Sequence, residues 1–143
     1  MQIRSFQDED TSSVIALWRE VLPDSAPHND PATVIRQKTS VERNLFFVAT
    51  VESTIVGTAM GGYDGHRGWI YSLAVTPTYQ RQGVATALMA HLEEELVKRG
   101  CLKINLQVRA SNEEVVAFYE KIGYKVEERV SMGKRMYDGE TGA

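Results

Sequence analysis

Residues 72–85 read Ser-Leu-Ala-Val-Thr-Pro-Thr-Tyr-Gln-Arg-Gln-Gly-Val-Ala. Their order predicts a strand, a short linker broken by Pro77, and a small-residue turn that opens a long helix. The first amides of a helix have no intrahelical partner and carry the positive end of its dipole, so Gln82, Gly83, Val84, Ala85 and Thr86 can turn N–H groups toward an anion such as a pyrophosphate. Gly83 is small enough for a phosphate to touch backbone. The helix, predicted from about Gly83 to Arg99, carries an apolar stripe at Val84, Leu88, Leu92 and Leu96 and ends at Gly100, which suits a left-handed cap. The glycine-rich dinucleotide fingerprint and the P-loop lysine motif are both absent, which points away from NAD and nucleoside triphosphates.

Outward from that stretch, strands and helices alternate without linker or repeat. Ile3 to Phe6 reads as a strand, and Asp8 or Asp10 as the cap of a helix with Val14, Leu17, Trp18 and Val21 on one face. Pro23 ends that helix. A loop follows to Asp30, and Asp30-Pro31 opens a short second helix toward Lys38. Leu45–Val51 and Ile55–Met60 form a predicted hairpin around Glu52-Ser53-Thr54. Gly61 to Gly68 is rich in turn formers, and Trp69–Val75 is a central strand. Beyond the long helix come a strand over Lys103–Val108, a helix over Asn112–Ile122 ended by Gly123, and closing strands over Lys125–Val130 and Lys134–Tyr137. This is an α/β order with a mixed sheet, read as a single domain over residues 1–143 with 138–143 as a frayed tail.

The 143 residues, 43% hydrophobic and 24% charged, suit one globular domain with a sizeable core. A net charge of −3 argues against nucleic-acid or anionic-membrane partners. The single cysteine, Cys101, cannot form an intrachain disulfide and reads as a buried free thiol. Three scattered histidines offer no metal-ligand spacing, so no metal is expected. Without a signal-peptide core or an apolar run of spanning length, the default location is cytoplasmic.

Gln80-Arg81-Gln82-Gly83-Val84-Ala85 resembles the Gln/Arg-x-x-Gly-x-Gly/Ala signature of the GNAT superfamily of acyl-CoA-dependent N-acyltransferases. Downstream, Val108-Arg109-Ala110-Ser111-Asn112 and Ala117-Phe118-Tyr119-Glu120-Lys121-Ile122-Gly123-Tyr124 look like the second coenzyme block of that family. The two motifs are similar to those of bacterial enzymes that acetylate the N-termini of ribosomal proteins. The resemblance implies a mostly antiparallel sheet, flanked by helices, that splays between Trp69–Val75 and Lys103–Val108. It implies that Leu73 and Val75 pair with pantetheine amides, that Gln80 to Thr86 hold the pyrophosphate of acetyl-CoA, and that Asn112 touches the coenzyme unless it is only a helix cap.

The chemistry so implied is aminolysis of a thioester. It needs a neutral amine, a donor for the oxyanion, for which Val75 N–H is the candidate, and an acid for the departing thiolate. Tyr119 is the candidate acid, although the stripe Val115, Phe118, Tyr119 and Ile122 would by periodicity place it in a core. Asp64 and His66 are candidate bases, directly or through water. Gln107 stands where some N-terminal acetyltransferases carry a glutamate, and it cannot take a proton. His28 and Asn29 fall on the loop that in the family covers the acceptor, whereas His91 should meet solvent. An acetyltransferase for a small amine or a peptide amino group is the favoured reading. A non-catalytic acyl-CoA sensor is the alternative, and pairing of the closing strands across a homodimer stays open.

Overall fold

Five strands run in the order β1-β2-β3-β4-β5. They are β1 (Gln2–Ser5), β2 (Phe46–Val51), β3 (Thr54–Tyr63), β4 (Gly68–Val75) and β5 (Ile104–Leu106). The first three ladders are antiparallel and only β4–β5 is parallel, so the sheet is mixed and mostly antiparallel, as expected. The computed structural model describes residues 1–22 and 26–137. The chain forms two units, Met1–Gln107 and Val108–Ala143.

In the first unit the helices α1 (Thr11–Val21), α2 (Pro31–Val41) and α3 (Val84–Lys98) cover the sheet. Alternation along β3 separates its faces. Thr58 and Met60 look toward α1, where Phe6, Val14, Leu17, Trp18, Phe46 and Val48 make a buried cluster. Gly57 and Gly61 look toward α3. A Cβ built on Gly57 would lie 3.0 Å from Leu88, on Gly61 2.8 Å from Leu92, and on Gly68 of β4 3.1 Å from Leu96. The leucine stripe read from the sequence therefore lies directly on backbone, and this close approach fixes where the N-terminus of α3 stands.

Several sequence boundaries shift. Strand β3 runs on through Gly61, Gly62 and Tyr63, read above as loop, because the ladder to β4 continues to Tyr63↔Gly68. Helix α2 reaches Val41 rather than Lys38. Asp10 precedes α1 but does not cap it, since its carboxylate takes both guanidinium nitrogens of Arg4 (2.7 and 3.0 Å) and the Gln7 N–H (2.9 Å). His91 is not simply solvated, because its ring meets Phe47 edge-on at 4.5 Å. Cys101 is buried, with Sγ 3.2 Å from the Lys103 carbonyl. The turn at Pro23 and the tail 138–143 lie outside the described residues.

In the second unit α4 (Glu113–Lys121) is followed by Gly123, whose φ of 106° matches the predicted helix end. The two closing strands do not form. Residues 125–137 enter no ladder, and Val126, Val130, Met132 and Met136 are all more than three-quarters exposed. Alternating apolar residues favour extended chain, but a strand also needs a neighbour to receive its N–H and C=O groups.

Candidate functional site

Strand β4 changes character halfway. Its parallel ladder to β5 holds only for Gly68↔Ile104, Trp69↔Asn105 and Ile70↔Leu106, so residues 71–75 run on with no β5 partner. Against β3 the register jumps from Met60↔Tyr71 to Thr58↔Ala74, placing Ser72 and Leu73 opposite the single residue Ala59. Ser72 takes φ 49°, a left-handed value costly for a residue with a Cβ. This is a β-bulge beside the divergence. Two buried groups brace it: Trp18 Nε1–H donates to Thr58 Oγ1 (2.8 Å), and that hydroxyl donates to the Ser72 carbonyl (3.0 Å).

Beyond the bulge, Thr76 N–H donates to Val56 C=O (2.9 Å) across the Gly57↔Val75 register. Gly57 and Val75 are thus a non-hydrogen-bonded pair, and the N–H and C=O of Val75 point to the open side of the strand. The Gln80 side-chain amide donates to that carbonyl (3.0 Å), and Gln82 braces the turn through the Thr78 carbonyl (2.9 Å). Arg81 (φ 65°) and Gly83 (φ 84°) are both left-handed. Gly83 is the N-cap of α3, which has no side-chain cap, and a Cβ built on it would meet nothing within 4 Å. Gly83 puts no Cβ into that open space and no side chain caps the leading amides of α3, a fit for an anion held by backbone.

On the α2 face a cleft of about 440 Å³ opens beside the bulge, lined by Lys38, Glu42, Asp64, Trp69 and Tyr71 among others. Lys38 Nζ contacts Glu42 Oε1 (3.1 Å) and donates to the Gly61 carbonyl. Glu42 Oε1 also accepts from Tyr63 N–H (3.3 Å). Burial raises the Tyr71 phenol above its usual pKa, and the negative charges of Asp64 and Glu42 add to the effect.

Asp64, read as a candidate base, closes its own turn: Oδ1 accepts from Arg67 N–H (2.7 Å) and His66 N–H (2.8 Å). These donors hold its carboxyl below the usual range, which weakens it as a base. His66 is exposed at the hairpin end. His28 and Asn29 are exposed on the short turn Pro27–Asn29 and do not line the cleft. Asp30 caps α2 through Thr33 N–H (3.1 Å).

In the second unit Asn112 caps α4, its side chain accepting from Val115 N–H (3.4 Å). Tyr119 is buried, with the rings of Phe118 and Tyr124 edge-on at 5.1 and 5.7 Å. Burial pushes its phenol up to about 12, so it stays protonated throughout the neutral range. Sequence reasoning missed Trp18, Thr58, Glu42, Trp69 and Tyr71. Of these, the alternation of Trp69 and Tyr71 was a legible sign of two rings on one sheet face.

The profile of the acetyltransferase (GNAT) family matches residues 11–124. An acetyltransferase of Yersinia pestis is 46% identical over 136 residues, covering 95% of this chain and 96% of its own. Among solved structures, the fold is similar to that of Ard1 from Thermoplasma volcanium (TM-score 0.78, 28% identity, 88% of this chain and 83% of that one). It is also similar to the ribosomal-protein-S18-alanine N-acetyltransferase of Escherichia coli (TM-score 0.73, 30% identity, 85% of this chain and 76% of that one).

Proposed function

The chain belongs to the GNAT acetyltransferase family, and from that membership and the geometry of β4 we propose that it moves an acetyl group directly from acetyl-CoA to a primary amine. The observation that carries the reading is the one-sided second half of β4, which leads through an uncapped, left-handed glycine turn into α3. On this reading the main-chain groups of Leu73 and the carbonyl of Val75, shared with the Gln80 side-chain amide, pair with the amides of the pantetheine arm, as an added strand would. The N–H groups from Gln82 to Thr86 hold the pyrophosphate, with Arg81 supplying charge and the side chains of Gln80 and Gln82 keeping the turn in shape. Val75 N–H would donate to the carbonyl oxygen as it gains negative charge.

Tyr119 is the proposed acid for the departing thiolate, and Asn112 is proposed to reach the coenzyme with the part of its amide not spent on the cap. With Asp64 weakened, His66 is the proposed base, acting directly or through water. The acceptor would enter by the cleft beside the bulge, with His28 and Asn29 at its approach. Residues 1–143 would form one acetyltransferase domain acting in the cytoplasm. Among the described residues, no helix is long and apolar enough to cross a membrane.

The test is release of free thiol from acetyl-CoA with polyamines, aminoglycosides, amino acids and short peptides as acceptors. Acceptor-stimulated release is expected; coenzyme binding with no release by any acceptor would leave a binding module. Tyr119→Phe keeps the ring and should lower turnover about a hundredfold, roughly 3 kcal/mol on the barrier, with near-normal acetyl-CoA affinity.

A further inference from the structure

We propose that the cleft between α2 and the end of the β3–β4 hairpin takes an acceptor with two amino groups, one that reacts and one that remains an ammonium beside Glu42, Asp64, Trp69 and Tyr71. This rests on the acetyltransferase reading above and names its substrate class.

Position comes first. Tyr71 lines the cleft, directly precedes Ser72, the left-handed residue of the bulge, and is the first residue of β4 without a β5 partner, so the cleft borders the start of the open stretch of β4. Charge comes second. Two carboxylates and one lysine line the cleft, and the lysine is spent on Glu42 and on the Gly61 carbonyl. With Glu42 held by Lys38, one net negative charge is left, on Asp64, and two aromatic rings border it, a setting that attracts an ammonium through both its charge and the ring faces. Tyr71 is half exposed, at 48%, and so presents its ring to a ligand.

Reactivity then separates the two amines. The attacking amine must lose its proton, whereas an ammonium beside carboxylates holds its proton more tightly. The anionic wall therefore suits the amine that does not react. An alkyl ammonium with an ordinary pKa near 10 stays charged there at neutral pH. A flexible aliphatic diamine meets both demands, while an acceptor with a carboxylate at its far end would meet like charge.

The experiment compares 1,5-diaminopentane with 5-amino-1-pentanol, which has the same length but no distal charge, at saturating acetyl-CoA. We expect kcat/KM to be roughly tenfold higher for the diamine. The double variant Glu42→Gln/Asp64→Asn, which keeps the hydrogen-bonding shape and removes the charges, should bring the two substrates level. Equal kcat/KM in the wild type would overturn the inference, as would a preference that persists in the double variant. Calorimetric titration with acetyl-CoA runs alongside: a wild type that fails to bind it overturns the acetyltransferase reading instead. Should neither amine be acetylated, tryptophan fluorescence decides, because Trp69 lines the cleft and Trp18 is buried elsewhere. A saturable response to 1,5-diaminopentane that Trp69→Phe removes and 1,5-pentanediol does not produce supports the inference. Absence of saturation overturns it.

Discussion

The two faces of the sheet solve different problems. Toward α3, Gly57, Gly61 and Gly68 give up their side chains so that Leu88, Leu92 and Leu96 can rest on backbone, leaving a tight apolar seam. Toward α1 and α2 the sheet carries Phe46, Met60 and a buried hydroxyl, Thr58, and then opens into a cleft with charged walls. The first face is built for position and the second for shape. A helix that delivers amides to an anion must stand at a fixed height over the sheet, and glycine under leucine sets that height. A bulge must be held in a costly conformation, and the Trp18–Thr58–Ser72 chain of hydrogen bonds, with Trp18 and Thr58 buried in the core, does so.

The largest effect expected on this contrast is at the end of the α3 face. Gly83→Glu places bulk and negative charge in open space at the N-cap, so acetyl-CoA affinity measured by calorimetry should fall at least a thousandfold, about 4 kcal/mol, while circular dichroism keeps its helical signal. Unchanged affinity in the folded variant would remove the anion site from this helix. Within the seam, Gly61→Val would press on Leu92 and should lower unfolding free energy in urea by about 3 kcal/mol. A neutral result would show that α3 can lift off the sheet.

On the opposite face Thr58→Val keeps volume but leaves the Trp18 indole N–H and the Ser72 carbonyl without their shared partner. The expected cost is about 2 kcal/mol in stability. Because the bulge would relax, kcat should drop more than KM for acetyl-CoA, and Thr58→Ser should restore both. Equal losses in kcat and stability that Ser does not rescue would reduce Thr58 to a packing residue.

The smallest effect concerns Asp10, at the edge of the α1 face. The guanidinium of Arg4 and the Gln7 N–H hold its carboxyl below the usual range. The folded protein therefore binds this proton less readily than the unfolded chain does. Its contribution is full above the unfolded pKa, near 3.9, and fades as pH falls through the lower folded value. Asp10→Asn should cost ~1 kcal/mol at pH 7 and flatten the acid side of the stability profile, checked by urea unfolding between pH 7 and pH 2. An unaltered acid limb would assign the loss to other carboxylates.

Much of this architecture was legible beforehand because it is local. Leucines four residues apart declare a helix face, and Gly100 and Gly123 declare helix ends, both with positive φ. The run from Gln80 to Ala85 likewise carries its meaning in the backbone it forms. The closing strands at 125–137 failed for the opposite reason, since alternation describes one strand while pairing is a property of two. The cleft was hidden as well: Asp64 and Tyr71 meet through the β3–β4 hairpin, and Glu42 joins them from the end of α2 by accepting from Tyr63 N–H.

By itself, then, the sequence determined the order of elements as far as α4, the glycine turn at the head of α3 and the two motifs that resemble those of the family, all of which depend on residues close in the chain. Tertiary structure alone decided that Ser72 and Leu73 share a bulge, that β4 and β5 part after Ile70, and that Trp18, forty residues from Thr58, steadies that bulge through the Thr58 hydroxyl. Side-chain period can assign a residue to a face, but the extra residue of a bulge inverts that assignment, and only hydrogen-bonded register reveals where it was inserted.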